Sequence, residues 1–328
     1  MASPFAGVDL GGTNMQIGIV RVEGDWPDAQ AEFLAQDKKK TKSEQGLEAV
    51  LDRIVEGVRE ACADASIEMS DLGGVGIGAP GMLDPETGHI YLAPNLDWRD
   101  VPVGQLLSER FGLPVAIEND VNAAILGEAS LGAARGSRDV MGVWVGTGVG
   151  GGLILDGKLR SGHFASCGEI GHMQLFPLNP PGLRSVEHNC SRTAVVHRIT
   201  GLIRAGHRSA ITDLVEGKLD KIKSGTVASA YAARDPLVVE VVDHSAELLG
   251  IHIGSVHTLL SLERVVLGGG LTEALGEPYV RIVEHHAKRC TFPDLAKSIQ
   301  IVATELEDRA GVLGAVMHAH GRAGTHQD

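Results

Sequence analysis

Short apolar runs and helically spaced apolar stripes succeed one another along this chain, and each change of pattern marks an element. Phe5 to Val8 and Met15 to Val20 read as strands around the turn Gly11-Gly12-Thr13-Asn14, and Val140 to Val145 and Leu153 to Leu155 flank a second turn, Gly146-Thr147-Gly148. The polar stretch Gln36 to Lys42 reads as a surface loop, and Ser43 as the N-cap of a helix. Leu47, Val50, Leu51, Ile54 and Val58 give that helix one apolar stripe, ending near Cys62. A strand over Gly73 to Gly78 leads into the turn-rich Ala79 to Asp84, then a helix near Val103 to Phe111 and a strand over Val115 to Glu118. Asp120 opens an alanine-rich helix running to Leu131. After the irregular stretch Ser161 to Glu187 the chain is mostly helical, apart from an apolar strand from Arg264 that runs into Gly268-Gly269-Gly270. Arg309 to His320 reads as a closing helix whose small residues Ala310, Gly311, Gly314 and Ala315 permit close packing.

The repeated turn is the strongest chemical signal. Glycine lets backbone N–H groups approach an anion, threonine adds a hydroxyl donor, and two such loops could hold one polyphosphate between them. That points to a nucleotide-dependent phosphotransferase. Composition agrees with an α/β enzyme of two domains: 43% hydrophobic residues, few aromatics, and 43 glycines suited to tight turns. A net charge of −13 argues against nucleic acid as partner, since a phosphate-backbone binder needs a positive face. Cys62, Cys167, Cys190 and Cys290 lack the close pairing of a disulfide framework, and no apolar run reaches the roughly 18 residues of a membrane span. Met1 to Pro4 is too short for a signal peptide, so a cytoplasmic protein without membrane association is expected.

Two pattern matches mislead. Gly146-Thr147-Gly148-Val149-Gly150-Gly151 satisfies the dinucleotide pattern, but that fingerprint must open a helix, and a strand follows here. Gly152 to Lys158 matches a Walker A loop until Leu159 stands where Ser or Thr must hold magnesium.

Taken together, Asp9-Leu10-Gly11-Gly12-Thr13, Gly78-Ala79-Pro80-Gly81, Pro94-Asn95-Leu96, Glu118-Asn119-Asp120-Val121-Asn122-Ala123, Gly146 to Gly152, Gly168-Glu169-Ile170-Gly171-His172-Met173 and Leu267 to Leu271 make the chain resemble the ROK family of sugar kinases, nearest the bacterial glucokinases. The resemblance spans nearly the whole chain. It implies an actin-like, ribonuclease-H-like duplicated α/β fold, two domains around a central cleft. We place a small domain at residues 1–118, with the C-terminal helix of about 309–321 packing back on it, and a larger one at 119–308. By the same resemblance Asp120 is the catalytic base, with an ordinary helix cap as its plain structural alternative. Gly81, Asn95, Asn119, Glu169, His172 and Glu187 join it as sugar contacts. Gly11, Gly12 and Thr13 with Gly146, Thr147 and Gly148 form the phosphate loops, Gly268, Gly269 and Gly270 lie on the adenosine side, and Asp9 organises Mg²⁺ through water.

ATP and Mg²⁺ are the implied cofactors, a hexose the acceptor, and a homodimer the expected assembly. Glucose is the first expectation for that hexose; N-acetylmannosamine, N-acetylglucosamine, fructose and mannose are the alternatives, and ADP or polyphosphate could replace ATP as donor. A sugar-responsive repressor is the rival of another class, against which stand the short lead before the first strand and the acidic charge. A non-catalytic sugar-binding relative is the third, against which stands Asp120. The chain departs from zinc-containing relatives in lacking their three-cysteine run: Ser185 falls where the third cysteine would be. No zinc is therefore expected, with His172, His188 and Cys190, joined by Cys167, the candidates for an atypical metal site.

Overall fold

Apolar side chains alternate with glycines in the first strands, and that pattern decides how the N-terminal unit is built. In the computed structural model, which describes residues 3–24 and 28–325, the elements run β1 (Phe5–Leu10), β2 (Asn14–Glu23), β3 (Gln30–Lys40), α1 (Leu47–Asp64), β4 (Val75–Ala79), β5 (Met82–Asp84), β6 (His89–Ala93), β7 (Trp98–Val101), α2 (Val103–Phe111), β8 (Val115–Asn119) and α3 (Asp120–Leu131). There follow β9 (Val140–Val145), β10 (Val149–Leu155), β11 (Lys158–Leu159), α4 (Val186–Cys190), α5 (Arg192–Arg204), α6 (Ile211–Leu214), α7 (Ser224–Ala232), α8 (Pro236–Leu260), β12 (Arg264–Gly268), α9 (Gly270–Leu275), α10 (Glu277–Cys290), β13 (Gln300–Ala303) and α11 (Ala310–Thr325). Met1 and Ala2 of the short lead lie outside the described residues. Among the described residues no helix is long and apolar enough to cross a membrane.

The chain divides into two compact units, one comprising residues 1–137, 153–167 and 308–328, the other residues 138–152 and 168–307. The first holds a five-stranded sheet of order β3-β2-β1-β4-β8, in which β1, β4 and β8 are parallel and β2 and β3 antiparallel. Gly18, Gly7 and Gly76 stand in register on β2, β1 and β4, so one face of the sheet carries a row without side chains. Helix α11 lies directly on that row: a Cβ at Gly7 would come within 2.5 Å of the Val312 carbonyl, and one at Gly76 would strike the Ala315 carbonyl. Their strand neighbours Ala6, Val8, Ile17, Ile19, Val75 and Ile77 point the other way and bury against Val50, Leu51, Ile54 and Val58 of α1. Most glycines of this sheet therefore serve close helix packing, where composition suggested turns.

Three sequence expectations change here. Gln36 to Lys40 is not loop but the end of β3, an edge strand whose polarity suits its exposed face. Ser43 does not cap α1, which follows Gly46; it begins a separate short turn. The turn-rich region after Ala79 contains the small antiparallel sheet β5-β6-β7. The expected domain boundary at 118/119 also lies away from the observed grouping. Asp120 and the rest of α3 cluster with the first unit, because Ala123 and Gly127 let α11 approach α3 at backbone distance.

In the second sheet the order is β11-β10-β9-β12-β13, with β9, β12 and β13 parallel. Counting only its own strands, this is the 3-2-1-4-5 order of the first sheet, with β5 to β7 an insertion there. Helices α8 and α10 pack through Gly250 and Gly254, where a Cβ would press on the Val283 and Ala287 carbonyls.

On α11, burial, reinforced by the Arg322 guanidinium, holds the His318 imidazole down at about 4, against weaker opposing effects of Glu86 and a hydrogen bond with the Ile117 backbone. A histidine that stays neutral when folded but accepts a proton near pH 6.5 when unfolded contributes stability above that pH, and the contribution is lost as pH falls towards 4. Between pH 6.5 and 4.5 the melting temperature of His318→Leu should accordingly fall less than that of the parent, by roughly 3 °C or more. Parallel pH profiles would show that His318 does not drive the acid loss.

Candidate functional site

Strand β8 ends at Asn119 and α3 begins at Asp120, so the residue proposed as base sits in the first turn of a helix. The cap is its neighbour. Asn119 Oδ1 accepts the Val121 and Asn122 N–H groups at 2.9 and 3.1 Å, while its Nδ2 donates to the Gly81 carbonyl at 3.2 Å. The plain cap reading thus belongs to Asn119, whose own oxygen is taken up by the helix and whose amide ties the Gly78 to Gly81 loop to α3. At Gly81 φ is +103°, and a Cβ would strike the Leu92 carbonyl at the end of β6. Glycine is required there. Beneath this turn Glu118, 2% exposed, accepts from the Asn119 N–H at 2.8 Å and from Asn122 Nδ2 at 3.0 Å. Burial pushes the Glu118 carboxyl up, and those two hydrogen bonds oppose it. Glu118 and Asn122, quoted in the sequence only as part of a motif, brace both sides of Asp120.

The first glycine loop is held by its carbonyls. The Thr41 hydroxyl donates to the Gly11 carbonyl at 2.5 Å, the Ser43 hydroxyl to that of Gly12 at 3.1 Å, and the Thr41 N–H to that of Thr13 at 3.0 Å. The Gly12 and Thr13 N–H groups take no part in these bonds. Gly12 lies against Asn95, whose carbonyl a Cβ would approach to 2.8 Å, and Asn95 lines with Ser43 and Trp98 a cavity of about 570 Å³. Asp9, at the end of β1, abuts Gly311 of α11, where a Cβ would come within 2.7 Å of its carboxyl carbon. Burial, then the Asp120 charge, pushes the Asp9 carboxyl up to about 7; Asp308 adds to the rise and Lys38 opposes it. Asp308 was invisible to sequence reasoning because no motif surrounds it.

In the second unit the structure gathers Gly146 to Gly148, Glu169, His172 and Glu187. The Val149 N–H donates to Glu187 Oε2 at 3.0 Å, and a Cβ on Gly148 would strike that oxygen. Gly151 and Gly171 let the 168–172 segment lie on β10, with Glu169 Oε2 3.9 Å from His172 Nε2. Gly269, with φ +86°, abuts Val145 at the end of β9, which brings the Gly268 to Gly270 turn beside the Gly146 loop. Helix α5 closes the loop from outside: the Arg192 N–H donates to the Gly146 carbonyl at 2.9 Å, Arg192 Nη2 to Thr147 Oγ1 at 2.7 Å, and the Thr193 hydroxyl to the Thr147 carbonyl at 2.6 Å. Sequence reasoning missed both residues.

The side chains around Glu187 do not fit a zinc ion. His188 Nδ1 is engaged with the Ser185 hydroxyl at 2.9 Å, and Cys190 is fully buried while the His172 side chain is largely exposed, so these three do not converge on one point. Among the described residues no three His, Cys, Asp or Glu side chains stand together as a metal site.

Comparison with known proteins identifies the family and the fold. The glucokinase of Halalkalibacterium halodurans is 32% identical over 320 residues, covering 94% of this chain and 93% of that protein. A ROK family glucokinase from Streptomyces griseus, solved in complex with glucose and AMPPNP, superposes with a TM-score of 0.81 at 30% identity, over 97% of this chain and 99% of its own. The DNA-binding transcriptional repressor Mlc of Escherichia coli is 26% identical over 275 residues, covering 82% of this chain and 66% of that protein. The fold is the actin-like ATPase fold of these sugar kinases, which accounts for the strand order repeated in the two sheets. The ROK family model matches residues 5–322, so the two glycine hairpins and the Asp120 turn lie in a chain that belongs to the ROK family.

Proposed function

We propose that the protein is an ATP-dependent hexose kinase, with glucose its acceptor. The observation that carries this reading is Asp120 in the first turn of α3, electrostatically coupled to Asp9 beside the first glycine loop. Asp120 takes the proton of the sugar 6-hydroxyl as that oxygen bonds to the γ-phosphorus. The bond from phosphorus to the bridging oxygen breaks, and the electron pair leaves with ADP. Asn119 and the Gly81 loop, bonded to each other, shape the acceptor site, together with Asn95, Glu169, His172 and Glu187. With Glu187 Oε2 already accepting from Val149, the other carboxylate oxygen is the one that receives a sugar hydroxyl. The phosphates lie on Gly11 to Thr13 and Gly146 to Gly148, and the adenosine by Gly268 to Gly270.

Asp9 and Asp120 fit magnesium, since both are hard oxygen donors and the Asp9 carboxyl is pushed up to about 7 by burial and the Asp120 charge, which Lys38 offsets only in part. Bound there with nucleotide, magnesium neutralises phosphate charge. The Mlc likeness keeps a non-catalytic regulator as the rival, and kinases for other hexoses share the motifs quoted above.

An ADP-release assay crossing glucose, mannose, fructose, N-acetylglucosamine and N-acetylmannosamine with ATP, ADP and polyphosphate tests the reading. Glucose with ATP should exceed every other pair in kcat/KM by about 10-fold or more, because a site built to hydrogen-bond particular hydroxyls rejects sugars that lack them. Preference for another sugar or donor would move the assignment within the kinases. No turnover with any pair, alongside measurable sugar binding, would replace it with the regulator.

A further inference from the structure

Several arginines of this acidic chain carry a carboxylate partner: Arg21 pairs with Glu32, Arg160 with Asp156, Arg281 with Glu277 and Arg322 with Glu86. Arg192 differs. It is half-buried, and among the described residues no carboxylate pairs with it; its guanidinium reaches instead to the exposed Thr147 hydroxyl, 2.7 Å away at the tip of the second glycine loop. A guanidinium carries five N–H donors, so one bond to a neutral hydroxyl leaves most of its capacity unused. The bond also orients Thr147. Because Oγ1 accepts from Arg192, the hydroxyl hydrogen is turned to another acceptor, while the Arg192 N–H and the Thr193 hydroxyl bind the Gly146 and Thr147 carbonyls. A guanidinium and an oriented hydroxyl thus stand together on one edge of a loop whose carbonyls are tied back, and these two are the donors that recognise phosphate oxygens.

We propose that Arg192 is a phosphate-binding residue, contacting the terminal phosphates of the nucleotide together with the Thr147 hydroxyl. This rests on the reading of Gly146 to Gly148 as a phosphate loop. The guanidinium stays charged at any working pH, and it offsets the phosphate charge without a proton or bond changing hands.

Calorimetric titration of the full-length protein with AMP, ADP, AMPPNP and glucose, each with magnesium, tests the proposal. Arg192→Ala should weaken ADP and AMPPNP by roughly 10-fold or more, as expected for loss of a charged hydrogen bond, while AMP and glucose stay within about 2-fold of the parent. Two further variants separate charge from scaffolding. Arg192→Lys keeps the cation, and Arg192→Gln keeps a donor for Thr147 without charge. Phosphate binding predicts that Lys recovers most of the ADP affinity and Gln little of it. Recovery by Gln but not by Lys, or ADP affinity unchanged in all three variants, would make Arg192 a structural clamp on the loop. Equal weakening of AMP and glucose would show general damage to the unit and overturn the proposal too. Should the parent itself bind neither ADP nor AMPPNP, the phosphate-loop reading falls first and takes this proposal with it.

Discussion

Asp120→Asn is expected to lower turnover by roughly 10²-fold or more while sugar affinity stays near that of the parent. The substitution is nearly isosteric and leaves the architecture of the turn in place. Asn119 remains the cap, Glu118 still bridges the Asn119 N–H and the Asn122 side chain, and an oxygen persists near the Val121 N–H, which Asp120 Oδ1 accepts at 2.9 Å. What disappears is the proton acceptor and one negative charge beside Asp9. Phosphoryl transfer depends mainly on positioning and charge, so a residual rate above the uncatalysed one is expected. Two measurements decide: single-turnover phosphorylation of glucose, and the melting temperature. A folded variant that turns over at close to the parent rate would reduce Asp120 to a helix-terminal acid. A large fall in melting temperature with little change in rate would point to a structural role instead.

The sequence carried the pieces of this site whose chemistry is local. Gly11 to Thr13 and Gly146 to Gly148 are recognisable because a hairpin between two apolar runs is set by residues adjacent in the chain, and Asp120 because it stands where a strand gives way to a helix. Contacts made at a distance were not legible. Gln36 to Lys40 is polar and reads as loop, yet pairing with Asn14 to Gly18 of β2 makes it part of an edge strand. Ser43 has the chemistry of a cap, and only the folded chain shows its hydroxyl on the Gly12 carbonyl. Arg192 and Asp308 sit in no motif; one is defined by a bond 45 residues back along the chain and the other by its charge near Asp9. The glycines of β1, β2 and β4 are indistinguishable from turn glycines until register aligns Gly18, Gly7 and Gly76.

That alignment makes α11 the element on which a small substitution should do most harm. Gly314→Ala is expected to cost about 3 kcal/mol or more, the upper end of overpacking penalties, since its new methyl would fall on backbone that cannot rotate away. The added Cβ would strike the Ala123 carbonyl and come within 2.9 Å of the Gly127 nitrogen, both on α3. On the other side α11 is pinned by the glycine row, with the Gly76 Cα facing the Ala315 carbonyl, so the helix cannot retreat without lifting from the sheet. The strain must therefore be taken up by α3, whose first turn carries Asp120. Activity should fall along with stability, although no proposed ligand contact has been altered. Gly321→Ala on the same helix is the internal control, because nothing lies within 4 Å of its Cβ. There the better helix propensity of alanine should leave the protein as stable as the parent or slightly more so. Thermal unfolding and soluble yield of the two variants, measured side by side, test the argument; equal behaviour would mean that α11 is free to shift and that its glycines do not set the position of α3.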